Sequence, residues 1–246
     1  MKQVFTLLFL VFLQSCQSQT EKKPQNQNLN QITINVIEPI NDYKIQILWI
    51  PSQNFEDIKL IGPAIIKFKN VKSDKIFYTI NSNFHFPKEI ENITFDNDSN
   101  VLTFEPITLN ISADEVGDAI IFMDVDFDNE KELITKQTGM YGADIDTFKF
   151  YNCNENEFEE ISGSPFEEIT NLGKVDFDYV NKEITIKDYY SCCEWDSYHY
   201  KLDKNKNFMQ YKTENHNVDV SSGIDSIIIK EVGKKEVKKT EKVETN

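Results

Sequence analysis

Tyr43-Lys44-Ile45-Gln46-Ile47-Leu48-Trp49 sets Tyr43, Ile45, Ile47 and Trp49 two residues apart. That spacing puts four large apolar side chains on one side of an extended chain, the signature of a half-buried strand. Working outward, runs rich in Ile, Val, Phe and Tyr recur about every dozen residues. Strands are expected near 32–37, 43–49, 64–69, 75–80, 92–95, 101–104, 118–123, 132–135, 147–151, 175–177, 183–187, 197–202, 208–211 and 226–230. β-branched and aromatic residues pack well on a pleated surface, so composition and periodicity agree.

Asp- and Asn-rich turns separate several of these runs: Phe95 to Val101, Phe177 to Ile184 and Leu202 to Phe208. Asp and Asn tolerate left-handed backbone and accept hydrogen bonds from nearby amides, so these segments prescribe hairpins. The expected fold is all-β and antiparallel, propeller-like, with a β-sandwich as the alternative. One short connector helix is expected: Ser164-Pro165-Phe166-Glu167 supplies an N-cap, a first-turn proline and an acidic third position, and Gly173 closes it.

The ends read differently. Lys2 precedes an apolar run, Val4 to Leu13, broken by Thr6, and Leu13-Gln14-Ser15-Cys16 follows. The run is far short of the ~20 residues that span a bilayer and matches a signal-peptide core. Residues 1–15 are expected to be a lipoprotein signal peptide cleaved before Cys16, whose thiol would carry lipid and anchor the chain to a membrane. Gln17 to Gln31 is polar and patternless, so 16–31 reads as a flexible tether. The β-rich domain is expected over 32–229, with a subdivision near 111–117, and residues 230–246 as a disordered charged tail. The localisation implied is the bacterial cell envelope, lipid-anchored and facing periplasm or exterior.

The chain has 246 residues, a formal net charge of -15 and no arginine among its 26 basic residues. An acidic chain without guanidinium forks is ill suited to nucleic acid or phosphate, so no nucleic-acid partner is expected; divalent cations or a basic partner suit it better.

Asp124-Val125-Asp126-Phe127-Asp128-Asn129-Glu130-Lys131-Glu132-Leu133 follows an apolar strand. Carboxylates at positions 1, 3, 5 and 9 of a tight loop, with the Glu130 carbonyl at position 7, form a hard-oxygen donor set suited to Ca²⁺. Asn129 stands where a calcium loop of this kind carries glycine, and Thr135 stands where a helical EF-hand carries its bidentate glutamate. A strand-loop-strand calcium site is therefore expected at Asp124, Asp126, Asp128, Glu130 and Glu132.

This spacing resembles the Asp-x-Asp-x-Asp-Gly-x-x-Asp-Leu loop of EF-hand-like and FG-GAP-type repeats. With the downstream Thr138-Gly139-Met140-Tyr141-Gly142-Ala143-Asp144 segment, the Phe148-Lys149-Phe150 strand and Tyr189-Tyr190-Ser191-Cys192-Cys193-Glu194-Trp195, it resembles a family of exported bacterial lipoproteins. These are similar to β-propeller-like periplasmic calcium-binding proteins that act as immunity inhibitors of a lysozyme-like effector of a type IV secretion system. The resemblance covers about residues 118–211. It implies calcium on the Asp loop and a binding or inhibitor role, with a cell-wall hydrolase as the protein partner; it carries over no inhibitory loop.

Beyond Cys16, an oxidising compartment makes a disulfide expected among Cys153, Cys192 and Cys193. Cys153 with one of the adjacent pair ranks first, a Cys192–Cys193 ring second. A zinc site from Cys192, Cys193 and His199 is disfavoured, because adjacent residues on a strand face opposite ways. His85, His199 and His216 are scattered, and no nucleophile-base signature or Gly-rich phosphate loop is present. The expectation is a binding protein, not an enzyme; a surface glycan hydrolase or a passive structural lipoprotein are the alternatives.

Overall fold

The computed structural model describes residues 31–53, 60–86, 90, 94–96, 101–103, 107–139, 146–154 and 157–242. The expected strand at 92–95 is described only from Thr94, and the 1–31 segment only at Gln31.

Strands β1 (Ile32–Val36), β2 (Tyr43–Trp49), β3 (Ser52–Gln53), β4 (Leu60–Asn70) and β5 (Ile76–Phe84) join a later strand in a 6-stranded sheet. A separate hairpin pairs β6 (Thr94–Asp96) with β7 (Val101–Thr103), and β8 (Ile107–Ile111) then completes the first sheet. Its order is β3-β4-β2-β1-β8 with β5 on the other edge of β4; β1 and β8 run parallel, the rest antiparallel. The alternation is realised residue by residue: Tyr43, Ile45, Ile47 and Trp49 are buried and Lys44 is exposed. At Gly62 the ladder bulges, and a Cβ there would lie 2.0 Å from the Ile50 carbonyl oxygen, so the close strand approach requires glycine.

The only α-helix among the described residues, α1 (Ala113–Val116), carries the chain out of the first sheet. Glu115 accepts the Ser112 amide at 2.9 Å, and a 3-10 turn, Gly117–Ala119, follows. The subdivision expected near 111–117 falls at this crossing, yet Val116, Ala119 and Ile120 all belong to the first core, so packing is continuous across it.

The second sheet comprises β9 (Ile120–Met123), β10 (Glu132–Gln137), β11 (Thr147–Cys153) and β12 (Phe158–Ile161), ordered as a meander. Both of its faces are apolar. Ile120, Phe122, Leu133, Tyr151, Cys153 and Phe158 pack on the first core, while Ile121, Met123, Ile134, Phe148, Phe150 and Ile161 pack on the second. The stacked rings of Tyr43 and Phe122, 5.5 Å apart, and of Phe77 and Phe158, 5.0 Å apart, fill the first interface.

The third sheet is a 6-stranded meander of β13 (Val175–Asp178), β14 (Glu183–Tyr189), β15 (Glu194–Leu202), β16 (Phe208–Asp219), β17 (Ile224–Glu231) and β18 (Val237–Lys242). Ile184, Ile186 and Tyr200 turn toward the second sheet and close the second core with Phe166 and Ile169. Three sheets packed in succession, antiparallel except for the β1–β8 pair, give the all-β, mostly antiparallel fold expected.

Two expectations are corrected. The 164–173 segment is not one α-helix: it forms 3-10 turns at Phe166–Glu168 and Leu172–Lys174 around an extended Ile169, and the Ser164–Pro165 bond is cis. Phe166 and Ile169 are both buried, and core packing of both overrides the helical spacing. The tail expected to be disordered from 230 contains β18, every residue of which is exposed. Its order comes from backbone pairing with the edge of β17 in register from Ile224–Lys242 to Ile229–Val237, a source of structure that a burial pattern does not reveal.

Truncating one neighbour in β10 should open a cavity in a different core from the other. Leu133→Ala and Ile134→Ala are each expected to cost ~2–5 kcal/mol in urea unfolding, while Ile65→Ala, at a 46% exposed position, should change stability by less than about 0.5 kcal/mol.

Candidate functional site

The Asp loop joins β9 to β10 in the doubly buried sheet. Val125 and Phe127 are buried in the second core, and Asp124, Asp126 and Asp128 alternate with them. The alternation of burial thus continues from the strand into the loop, with Val125 and Phe127 buried and Asp124, Asp126 and Asp128 more exposed. One oxygen from each of the three aspartates lies within 4.8 Å of the others.

Backbone amides wind around these carboxylates. Asp124 accepts from Phe127 N at 2.7 Å and Asn129 N at 3.1 Å, Asp126 from Asp128 N at 3.2 Å, and Asp128 from Glu130 N at 2.8 Å. Asn129 takes φ 73°, the left-handed backbone that the sequence asks of it in place of glycine. Phe127 also sits at φ 64°, which nothing in the sequence signalled. Its ring is held by edge contacts to Tyr179 at 5.4 Å and Phe208 at 6.0 Å, so burial sustains a backbone conformation phenylalanine rarely adopts.

The third sheet pins the loop from outside. Asp178 accepts the amides of Val180 and Asn181, each at 2.9 Å, and so shapes the β13–β14 turn. From that turn Tyr179 Oη donates to the Asp124 carbonyl at 2.9 Å and Lys182 Nζ to the Phe127 carbonyl at 3.0 Å. Lys182 therefore grips the backbone and leaves the aspartates' charge uncompensated by that contact.

The five expected ligands separate into two groups. Asp124, Asp126 and Asp128 converge; the Glu130 side chain is exposed, and Glu132 is 3% exposed with its carboxylate accepting the Val125 amide at 2.7 Å. Burial pushes the Glu132 carboxyl up to about 7; the Val125 hydrogen bond opposes the rise, and the charges of Asp126, Asp128 and Asp124 add to it. Burial, then repulsion from Asp128 and Asp124, also raises Asp126. The donor set fits a hard divalent cation: oxygens sharing one Ca²⁺ at ~2.3–2.6 Å are at most about 5 Å apart, and these meet that limit.

A second constellation escaped the sequence reading. His199 Nδ1 pairs with Glu183 Oε1 at 2.8 Å, His216 Nδ1 with Asp225 Oδ2 at 2.7 Å, and both Nε2 atoms lie 3.5 Å from Glu214 Oε2. Burial works against ionisation of Glu183, but hydrogen bonds from Tyr211 and His199 outweigh it and hold the carboxyl below the usual glutamate range. The residues come from β14, β15, β16 and β17, and only the sheet register, Ser197 opposite Glu214 and Trp195 opposite His216, brings them together.

Among the described residues the cysteines are free, so the first-ranked pairing of Cys153 is not formed. Cys153 packs against the first core, whereas Cys192 and Cys193 lie in the exposed β14–β15 turn of the third sheet.

Two outcomes follow from these geometries. Asn129→Ala should cost up to about 1 kcal/mol, because alanine keeps the Cβ but lacks the polar side chain that lets asparagine tolerate left-handed backbone, and Asn129→Gly should be neutral or stabilising, both read by urea unfolding. The lowered Glu183 carboxyl contributes stability that is complete above the unfolded glutamate pKa of about 4.3 and is lost as pH falls through its folded value. Glu183→Gln should therefore flatten the acid limb of a stability-against-pH profile.

No protein-family model matches the chain, and no curated protein sequence matches it. Among solved structures it is similar to a Xanthomonas type IV secretion system related protein, with a TM-score of 0.53 and 12% identity, over 86% of this chain and 94% of that one. At that identity the likeness shows the fold.

Proposed function

We propose that the chain is an exported, lipid-anchored calcium-binding β-protein that works as a binding module at the bacterial envelope, with inhibition of a cell-wall hydrolase as its specific role. The observation that carries the calcium reading is the convergence of Asp124, Asp126 and Asp128 within 4.8 Å. Three ionised carboxylates at that separation repel one another, and a hard cation converts the repulsion into binding energy. The Glu130 carbonyl would add a donor, and Glu132, whose carboxylate accepts the Val125 amide, would join only by turning its other oxygen to the ion. Envelope location rests on the Leu13-Gln14-Ser15-Cys16 signal. It is supported by the fold shared with a protein described as type IV secretion system related. The inhibitor role rests on the resemblance of the Asp loop and its downstream segments to exported immunity lipoproteins.

Calcium added to the chelator-treated chain should release or absorb heat with a Kd of about 0.1–1 mM, the range of extracellular calcium modules. At a calcium concentration a hundredfold above Kd, the melting temperature should rise by roughly 5–11 °C. Asp124→Asn, Asp126→Asn and Asp128→Asn combined should abolish both effects. An unchanged melting temperature in the parent chain would sink the calcium reading. For the inhibitor role, peptidoglycan turnover by an added lysozyme should fall when the calcium-loaded chain is in tenfold excess; unimpaired turnover would reject that role against the enzyme used, and turnover by the chain alone would make it a hydrolase.

A further inference from the structure

The β14–β15 turn presents two thiols side by side. Cys192 is exposed, Cys193 half-buried, and their sulfurs are 2.8 Å apart. The turn beneath them is a fixed frame: Tyr190 N and Ser191 N both donate to the Glu194 carbonyl, at 2.9 and 3.2 Å, and Val218 N donates to the Cys193 carbonyl at 2.8 Å. Cys193 N is itself held by Ser191 Oγ at 3.2 Å. Neither thiol is used by the Asp loop or by the histidine–carboxylate constellation.

We infer that Cys192 and Cys193 form a reversible oxidation site that closes to a vicinal disulfide by exchange with low-molecular-weight or protein disulfides. The thiolate of one cysteine attacks a disulfide R–S–S–R, forming a mixed disulfide and releasing one R–SH. The neighbouring thiolate then attacks the protein sulfur of that mixed disulfide, forming the Cys192–Cys193 bond and releasing the second R–SH. The pair loses two electrons and two protons, and the incoming disulfide gains both.

Three observations select this pairing. The partner thiol is already in place, so ring closure competes favourably with capture of a second external thiol. Cys153 is packed against the first core, away from the turn that carries Cys192 and Cys193, with its sulfur 3.8 Å from the Tyr151 carbonyl. Finally, adjacent Cα atoms are about 3.8 Å apart, shorter than the ~4.4–6.8 Å that disulfides ordinarily span. The ring is therefore more easily reduced than a structural disulfide and can cycle.

The turn leads into an aromatic ledge, with Tyr189 and Trp195 centroids 5.9 Å apart and Trp195 stacked on His216 at 4.5 Å. Ring closure would tighten the segment between Tyr189 and Trp195 and so set the position of that ledge.

The test equilibrates the full chain with mixtures of oxidised and reduced glutathione, quenches by alkylation after unfolding, and weighs the peptide containing both cysteines. In excess oxidised glutathione that peptide should be lighter by two hydrogens and carry no alkyl group, while Cys153 carries one. Excess reduced glutathione should restore two alkyl groups. Cys153→Ser should behave as the parent, and Cys192→Ser should trap glutathione on Cys193. Two alkylated thiols at every glutathione ratio, a bond from either cysteine to Cys153, or a bond between two chains would each overturn the proposal.

Discussion

The second sheet has no face to give to water, and the rest of the molecule is arranged around that constraint. Ile120-Ile121-Phe122-Met123 is a continuous apolar run whose alternate residues enter different cores. Ile120 is buried and the three residues after it are half-buried, so each contributes at most about 1.5–3 kcal/mol. Removing either neighbouring sheet would return one whole set of these side chains to solvent. The first and third sheets can each leave one side polar; the second cannot. Asn81, fully buried, adds direction to this packing, because its amide donates to the Lys136 carbonyl while Thr138 N donates to the Asn83 carbonyl at 2.9 Å. Those bonds fasten the edge of β5 to β10 and set the first sheet's position on the second.

The Asp loop inherits its geometry from the same constraint. Val125 and Phe127 are drawn into the second core, and the three aspartates between and beside them are left more exposed. At 4.8 Å a pair of unit charges repels by about 1–3.5 kcal/mol between the dielectric of water and that of a protein surface. Three aspartates make three such pairs, about 3–10 kcal/mol in all; burying two apolar anchors contributes about 3–6 kcal/mol against that, and the amide donors add to it. The anchors and amide donors together hold the loop's shape against this repulsion. Pinning by Tyr179 and Lys182 acts on carbonyl oxygens, which fixes the loop without neutralising it.

Much of this was legible because the strands and the Asp loop both write themselves in period 2. The alternation at Tyr43–Trp49 located β2 to the residue, and Asp-Val-Asp-Phe-Asp marked the three carboxylates that converge; that Val125 and Phe127 anchor the loop in the second core came only from the packing. The connector at 164–173 misled because a first-turn proline and acidic third position describe only local preference, and two buried side chains, Phe166 and Ile169, decided the outcome. β18 was invisible because its residues bury nothing; an edge hydrogen-bond ladder has no side-chain signature. The short strands β8 and β12 were missed too: β8 owes its place to a parallel partner far away in sequence, from Ile32–Ile107 to Val36–Ile111. Phe127 at positive φ could not be read at all, since only tertiary burial sustains it.

The histidine–carboxylate constellation shows what register adds that spacing cannot. Glu183, His199, Glu214, His216 and Asp225 are spread over four strands, yet they form one line of alternating acid and imidazole on the face of the third sheet away from the second core. Lys201 approaches Glu183 at 3.4 Å and Lys212 approaches Glu214 at 3.2 Å, so the acids of this face are met from several directions. Such a face needs its acids partly shielded and partnered, because an unpaired buried carboxylate would cost more than the sheet's own pairing returns. In a chain with net charge -15 and no arginine, two lysines supply the positive charge and two imidazoles the hydrogen-bonding nitrogens that guanidinium groups would otherwise provide. The contrast with the Asp loop is then physical: both sites concentrate carboxylates, but Lys201 and Lys212 pair with the acids of the third-sheet face, whereas no ion pair among the described residues reaches Asp124, Asp126 or Asp128, and Lys182 donates to the Phe127 carbonyl.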